Sequence, residues 1–128
     1  MDFMSNNAFF MLEKAMGFLW TKQAAILDNI ANAETPNYKP KLVTFEEELK
    51  DRLEKAGASA TPKESVREVL ENTEFAVTEH LETTRKDDNG VNVTEQSIEM
   101  IRNAYQLQYV MNAISTDLST LRTAVRGQ

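Results

Sequence analysis

The side chains that could carry acid-base or nucleophilic chemistry are few in this sequence and badly placed for it. His80 is the lone histidine, and there is no cysteine. That inventory supplies neither a thiolate nucleophile nor a Cys- or His-rich metal cluster. His80 has no Ser or Asp partner in a motif, and the adjacent glutamates around Glu46 and Glu47 belong to a charged, solvated face. No Gly-rich phosphate loop is present. No catalytic, cofactor-binding or metal-ligating residue is assigned, and an enzyme is not expected. The chemistry that remains is that of amides. Residues 29 to 39 read "NIANAETPNYK". Asn29, Asn32, Thr35 and Asn37 surround Pro36 and are followed by Tyr38. Such side chains donate to and accept from the backbone groups that a helix end leaves exposed.

Those residues must be positioned by what precedes them. Phe9, Leu12, Met16, Leu19, Gln23, Ile26, Ile30 and Ala33 are separated by steps of 3, 4, 3, 4, 3, 4 and 3, a heptad seam with one polar member, Gln23. The pattern predicts a helix over about residues 6 to 34, capped at Ser5 or Asn6 and stopped by Pro36. A second seam runs at the other end of the chain through Val93, Ser97, Met100, Ala104, Leu107, Met111, Ile114, Leu118, Leu121 and Val125. Thr94 is its expected N-cap, with Glu95 in the first turn and Arg122 and Arg126 in the last turns, as the helix dipole favours. Two seams of similar length joined by an intervening segment should pair antiparallel. The expected fold is therefore mainly α, a coiled coil of the N- and C-terminal helices formed by residues 1 to 43 and 91 to 128.

The intervening residues 44 to 90 have a different character. They hold 13 acidic and 7 basic side chains and so account for the whole net charge of −6, while the flanks hold 7 of each. Thr44-Phe45-Glu46-Glu47 fits a capping box that opens a short helix through Leu49 and Leu53 to about Ala56. "AGASATP" reads as a loop, residues 63 to 72 as a second short helix, residues 73 to 84 as extended, and "DDNG" at 87 to 90 as a turn. An acidic chain is the wrong sign for nucleic acid or anionic lipid. The opening "MDFMSNNAFFMLEKAMGFLW" has no positive n-region, is interrupted by Glu13 and Lys14, and has no small-residue cleavage site. A cleaved signal peptide is not expected. Its polar face lacks the basic residues of a membrane-surface helix.

The apolar content exceeds what one seam can use. Phe10, Met11, Phe18, Trp20 and Leu27 lie off the first seam, and Ile98, Ile101, Tyr105 and Tyr109 off the second. The charged insert has few large apolar residues with which to cover them, so other subunits are the expected cover.

"LDNIANAETPNYK" resembles the N-terminal signature of flagellar rod and hook proteins, an Asn-Ile-Ala-Asn-x-x-Thr-Pro-Gly-Tyr string after an amphipathic helix. "DDNGVNV", the helix after it and the ending "LSTLRTAV" resemble the rod proteins of the bacterial flagellar basal body, in particular those of the proximal rod. The resemblance covers roughly residues 8 to 45 and 86 to 126, and residues 57 to 85 match no known pattern. Asn37 stands where that family usually has glycine. Asn is the next most tolerant residue of a positive φ, so the turn can survive.

The resemblance implies a structural subunit that leaves the cell through the flagellar type III export channel. It implies helical stacking, with other copies and other rod subunits, into a drive shaft across the periplasm. Its further partners would be the export gate, the membrane-ring protein and the adapter at the rod base. No nucleic acid, small-molecule substrate or cofactor is implied. In this reading Asn29, Asn32, Thr35, Pro36, Asn37 and Tyr38 form an elbow where the chain leaves the inner layer, and Tyr38 bonds across a subunit boundary. The seam would be carried by Leu12, Met16, Leu19, Ile26 and Ile30 against Met100, Leu107, Met111, Ile114, Leu118 and Leu121. A small helical adaptor or type III secretion chaperone is the alternative; it would form a closed dimer, whereas a rod subunit makes head-to-tail contacts that do not close.

Overall fold

The computed structural model describes residues 7 to 44, 46 to 74, 76 to 79 and 89 to 127. Helix α1 spans Asn7–Ala31, strand β1 Lys41–Thr44, helix α2 Glu46–Gly57, helix α3 Pro62–Asn72, strand β2 Ala76–Glu79 and helix α4 Val93–Arg126. His80, the caps at Ser5 and Asn6, and the first half of "DDNG" lie outside the described residues. No described helix is long and apolar enough to cross a membrane.

The frame is the antiparallel pair α1 and α4. Asn103 reaches Leu19 and Gln23, Lys22 meets Glu99, and Asn29 meets Gln96, so partners descend one helix as they ascend the other. The pairing face of α1 follows the expected stripe: Leu19 and Ile26 are buried, and Leu12, Met16 and Ile30 are partly buried. The face of α4 is phased differently. Its buried members are Asn103, Leu107 and Val110, flanked by the half-buried Gln96, Met100 and Ile114. Met111 and Leu118, assigned to the seam from their apolar character, are instead exposed, as is Ala104. The reason is a polar layer. Asn103 Nδ2 donates to the Leu19 carbonyl at 3.0 Å and to Gln23 Oε1 at 2.7 Å. The one polar member of the first seam is thus matched by a polar residue that a purely apolar reading of the second helix passes over.

The insert packs onto this pair. Leu49 of α2, Leu70 of α3 and Val43 of β1 join Phe18, Leu19, Leu107 and Val110 in one apolar cluster. Phe18 is therefore core, although it lies off the α1 seam. Among the other off-seam residues of α1, Phe10 and Met11 pack partly against the cluster, while Trp20 and Leu27 remain exposed. Pro62 opens α3 at a position where its missing N–H costs nothing. Further anchors run from α1 to α3: Asn7 Nδ2 donates to the Lys63 carbonyl at 2.9 Å, Lys14 Nζ to the Thr73 carbonyl at 3.1 Å, and the Arg67 guanidinium lies 4.8 Å from the Phe10 ring centre. The two strands pair antiparallel, with Lys41 opposite Glu79 and Thr44 opposite Ala76.

At its start α4 is capped by Asn92, whose side chain accepts from the Glu95 amide, and not by Thr94. Asn92 stands three residues before that amide, the reach an N-cap oxygen needs. At its end Gly127 takes a left-handed φ of 71° and returns its amide to the Thr123 carbonyl. With 34 residues against 25, α4 outruns α1. At 1.5 Å per residue the difference is roughly 13 Å, and it leaves the last turns of α4 projecting past the described start of α1.

Leu70 is the most deeply buried apolar side chain, at 1% exposure. Leu70→Ala should cost about 2–5 kcal/mol of unfolding free energy, read from the urea midpoint at unchanged slope.

Candidate functional site: the amide elbow

The helix stop predicted at Pro36 occurs earlier. Regular α-helical geometry ends at Ala31, and the chain continues through tight turns in which the Ala33 amide returns to the Ile30 carbonyl and the Thr35 amide to the Asn32 carbonyl. Pro36 lies beyond these turns, so it bars resumption of the helix but does not set its end. Asn37 follows with a φ of 59°, the sole described non-glycine residue in that region, which agrees with the tolerance expected of Asn there.

The turns after the helix are held by a residue far along the chain. Asn89 is fully buried, and its Nδ2 lies 3.0, 3.0 and 2.7 Å from the carbonyls of Asn32, Ala33 and Thr35. Its Oδ1 accepts the Val91 amide at 2.8 Å, and the neighbouring Gly90 amide donates to the Tyr38 carbonyl at 3.2 Å. Carbonyls in the turns just past α1 thus find a side-chain donor on the segment that leads into α4.

Asn29 does the complementary work on the other side. It is 1% exposed and uses both ends of its amide. Nδ2 donates to the Lys41 carbonyl at 2.9 Å and to Gln96 Oε1 at 3.0 Å, while Oδ1 accepts the Lys41 amide at 2.7 Å. The pair of bonds to Lys41 imitates a strand neighbour and fixes where β1 begins. The bond to Gln96 ties the same point to α4. Asn32 acts more locally, with Nδ2 on the Asp28 carbonyl at 2.8 Å and Oδ1 accepting from Thr35 Oγ1 at 3.2 Å.

Tyr38 closes the elbow. Its hydroxyl lies 3.2 Å from Asn29 Oδ1 and 3.4 Å from Asp28 Oδ2, sharing one proton between two acceptors. Its partners are therefore within the chain, and the hydroxyl needs no bond across a subunit boundary to be satisfied. Asp28 also pairs with Lys41. The hydrogen bond from that ammonium holds the Asp28 carboxyl below its usual range, and the same bond raises Lys41. Burial, and then the Asp28 charge, pushes the Tyr38 hydroxyl up.

Of the residues expected at the elbow, Asn29, Asn32, Thr35 and Tyr38 meet in one bonded network, and Asn37 supplies the left-handed turn. Pro36 makes no bond in it. Asp28, Lys41, Asn89 and Gln96 belong to the network and were not foreseen. Asp28 stands in the quoted string and Asn89 in the quoted turn, but only spatial closeness reveals their partners. The network is one of positioning: it has donors and acceptors that hold backbone, and no group set to attack a substrate.

Asn89→Ala should remove the side-chain donor that these carbonyls share and the acceptor of the Val91 amide, and lower stability by about 1–3 kcal/mol. Asn89→Asp should do worse at neutral pH, because it sets a carboxylate against those carbonyls; thermal unfolding of both variants checks the order. Asp28 gives a pH test. Its folded pKa is depressed, so the stability it contributes is present above the unfolded value near ~3.9 and is lost as pH falls through the folded value. Asp28→Asn should be slightly less stable than the parent chain at pH 7, and the two unfolding curves should converge in acid.

Comparison with known proteins adds a lineage to this geometry. No protein-family model matches the chain. It is 27% identical over 117 residues to the flagellar basal body rod protein FlgB of Bacillus subtilis (strain 168), covering 91% of each chain. It is 26% identical over 112 residues to FlgB of Aeromonas hydrophila, covering 84% of this chain and 85% of the other. With FlgB of Aquifex aeolicus (strain VF5) it shares 25% over 119 residues, 92% of each chain. These matches take in both helices of the pair and the insert between them. Along most of its length the chain is similar to the FlgB flagellar basal-body rod proteins.

Proposed function

We propose that the chain is a structural subunit of the proximal rod, stacking with copies of itself and with other rod proteins into the shaft of the flagellar basal body. The observation that carries this reading is the similarity to FlgB proteins across the whole antiparallel frame. The surface supports it. Trp20 and Leu27 on α1, and Ile98, Ile101, Tyr105 and Tyr109 on α4, are large apolar side chains left exposed by the folded chain. Exposed apolar surface on this scale is characteristic of a protein that is completed by neighbours.

In the assembled rod, residues 1 to 43 and 91 to 128 form the inner layer and residues 44 to 90 face outward. The elbow at Asn29, Asn32, Thr35, Pro36, Asn37 and Tyr38 sets the direction in which the chain leaves that layer. The rod-base adapter, the membrane-ring protein and the export gate are the neighbours at its lower end. The subunit reaches the periplasm through the type III export channel. No catalytic role is proposed.

Two measurements test this. Basal bodies isolated from cells making a tagged chain should contain it, and deletion of its gene should abolish swimming; a chain missing from basal bodies would remove the rod assignment. Ile114 packs against the core cluster from α4. Ile114→Asp would place an unpaired charge there, at a cost of several kcal/mol. The variant should be synthesised but should fail to restore motility, while Thr116→Asp, on an exposed position of the same helix, should restore it.

A further inference from the structure

Asn89 is the one asparagine in the sequence that a glycine follows. Asparagine is a thermolabile side chain, and an Asn-Gly pair is its most reactive setting, because glycine has no Cβ to keep its backbone nitrogen from the neighbouring carboxamide. The pair stands at the joint between the elbow and α4, and the fold engages both of the groups that would react. The Gly90 amide donates to the Tyr38 carbonyl at 3.2 Å. The Asn89 carboxamide is fully buried, with Nδ2 against the carbonyls of Asn32, Ala33 and Thr35 and Oδ1 accepting the Val91 amide.

We propose that Asn89-Gly90 is a self-modification site that the closed joint holds inactive and that opening of the joint releases. In the open chain the Gly90 nitrogen gives its proton to solvent hydroxide and attacks Asn89 Cγ. The N–Cγ bond forms, the Cγ–Nδ2 bond breaks, and Nδ2 takes a proton from water and leaves as ammonia. The product is a succinimide. Water then adds to one of the two ring carbonyls and opens the ring. Opening at Cγ leaves aspartate at 89. Opening at the main-chain carbonyl leaves isoaspartate, with the backbone rerouted through the side chain. Water is the sole co-reactant, and nothing is oxidised or reduced.

In the closed joint the same steps are held off. The Gly90 proton is committed to Tyr38, and Cγ is fixed by bonds at both of its polar atoms. The consequence is one-way. Either product puts a carboxylate where Nδ2 stood, so the three carbonyls lose their donor and face a negative charge. A copy left open for long therefore loses the means to close, whereas a copy that folds promptly keeps it. This holds for the chain whatever it assembles with.

The test follows the full chain in mildly alkaline buffer, with and without unfolding guanidinium chloride. Trypsin releases residues 87 to 102, the stretch between Lys86 and Asn103, and mass spectrometry with fragmentation reads the state of position 89. Asn92, which valine follows, lies in the same peptide and serves as the slow internal reference. In denaturant, position 89 should convert to aspartate and isoaspartate while Asn92 keeps its amide. The native chain reacts only through local opening, so its conversion should be more than about ten-fold slower. Gly90→Ala should slow conversion in denaturant several-fold, a reading that needs no folded variant. After denaturant is removed, converted chains should unfold at a lower guanidinium midpoint than unconverted ones, as Asn89→Asp should. Equal rates in native and unfolded chain, or no conversion in denaturant, would overturn the proposal. Equal midpoints for converted and unconverted chains would overturn its one-way consequence.

Discussion

The turns that follow α1 are bonded to the segment that enters α4, and the rest of the structure depends on that joint. A helix leaves its last carbonyls without intrahelical donors, and out of reach of water each must find one elsewhere. Here the Asn32 and Ala33 amides return to the Asp28 and Ile30 carbonyls, and the carbonyls of Asn32, Ala33 and Thr35 in the turns beyond share the side-chain amide of Asn89, contributed by the segment that enters α4. The turns after the helix therefore gain this donor only when the distant C-terminal half has come back to meet them. Asn29 repeats the device one turn earlier, bonding β1 through Lys41 and α4 through Gln96. Two buried amides thus join the N-terminal helix, the first strand and the C-terminal helix at one point.

Asparagine suits this task because it carries a donor and an acceptor on a short stem. A charged residue could do half of it and would be penalised for burial. The third buried asparagine, Asn103, acts along the helix pair and not at its end. By bonding Leu19 and Gln23 it favours one axial register over its neighbours, since any slip would strand a polar group against apolar side chains. Polar groups in this chain locate the elements relative to each other, and the apolar cluster of Phe18, Leu49, Leu70 and Leu107 holds them there.

The two strands show the dependence from another side. A two-stranded ribbon is marginal on its own. This one persists because Val43 is buried in the common core and Lys41 is bonded at both backbone groups to Asn29. The insert is consequently tied to the helix pair at the elbow as well as through α3. Forces on the insert would pass into the helix pair through this bonded corner.

The sequence by itself determined the two long helices, their antiparallel pairing, the acidic insert with its short helices, and the resemblance to flagellar rod proteins. Each is written in local pattern: heptad steps, charge distribution, and a string whose residue types are specific. The positive φ at Asn37 was legible for the same reason, because it is a property of one residue's backbone. What the tertiary structure alone decided were matters of who faces whom. Leu118 and Met111 read as seam residues because they are apolar, yet Asn103 and Val110 occupy the face, since the amide finds its partners on α1. Pro36 read as the helix stop because proline forbids continuation, yet the stop falls at Ala31, and the turns just beyond it are bonded by Asn89. Periodicity ranks positions by hydrophobicity and carries no term for a hydrogen bond between residues more than fifty positions apart. That bond exists only once the fold has brought its two ends together.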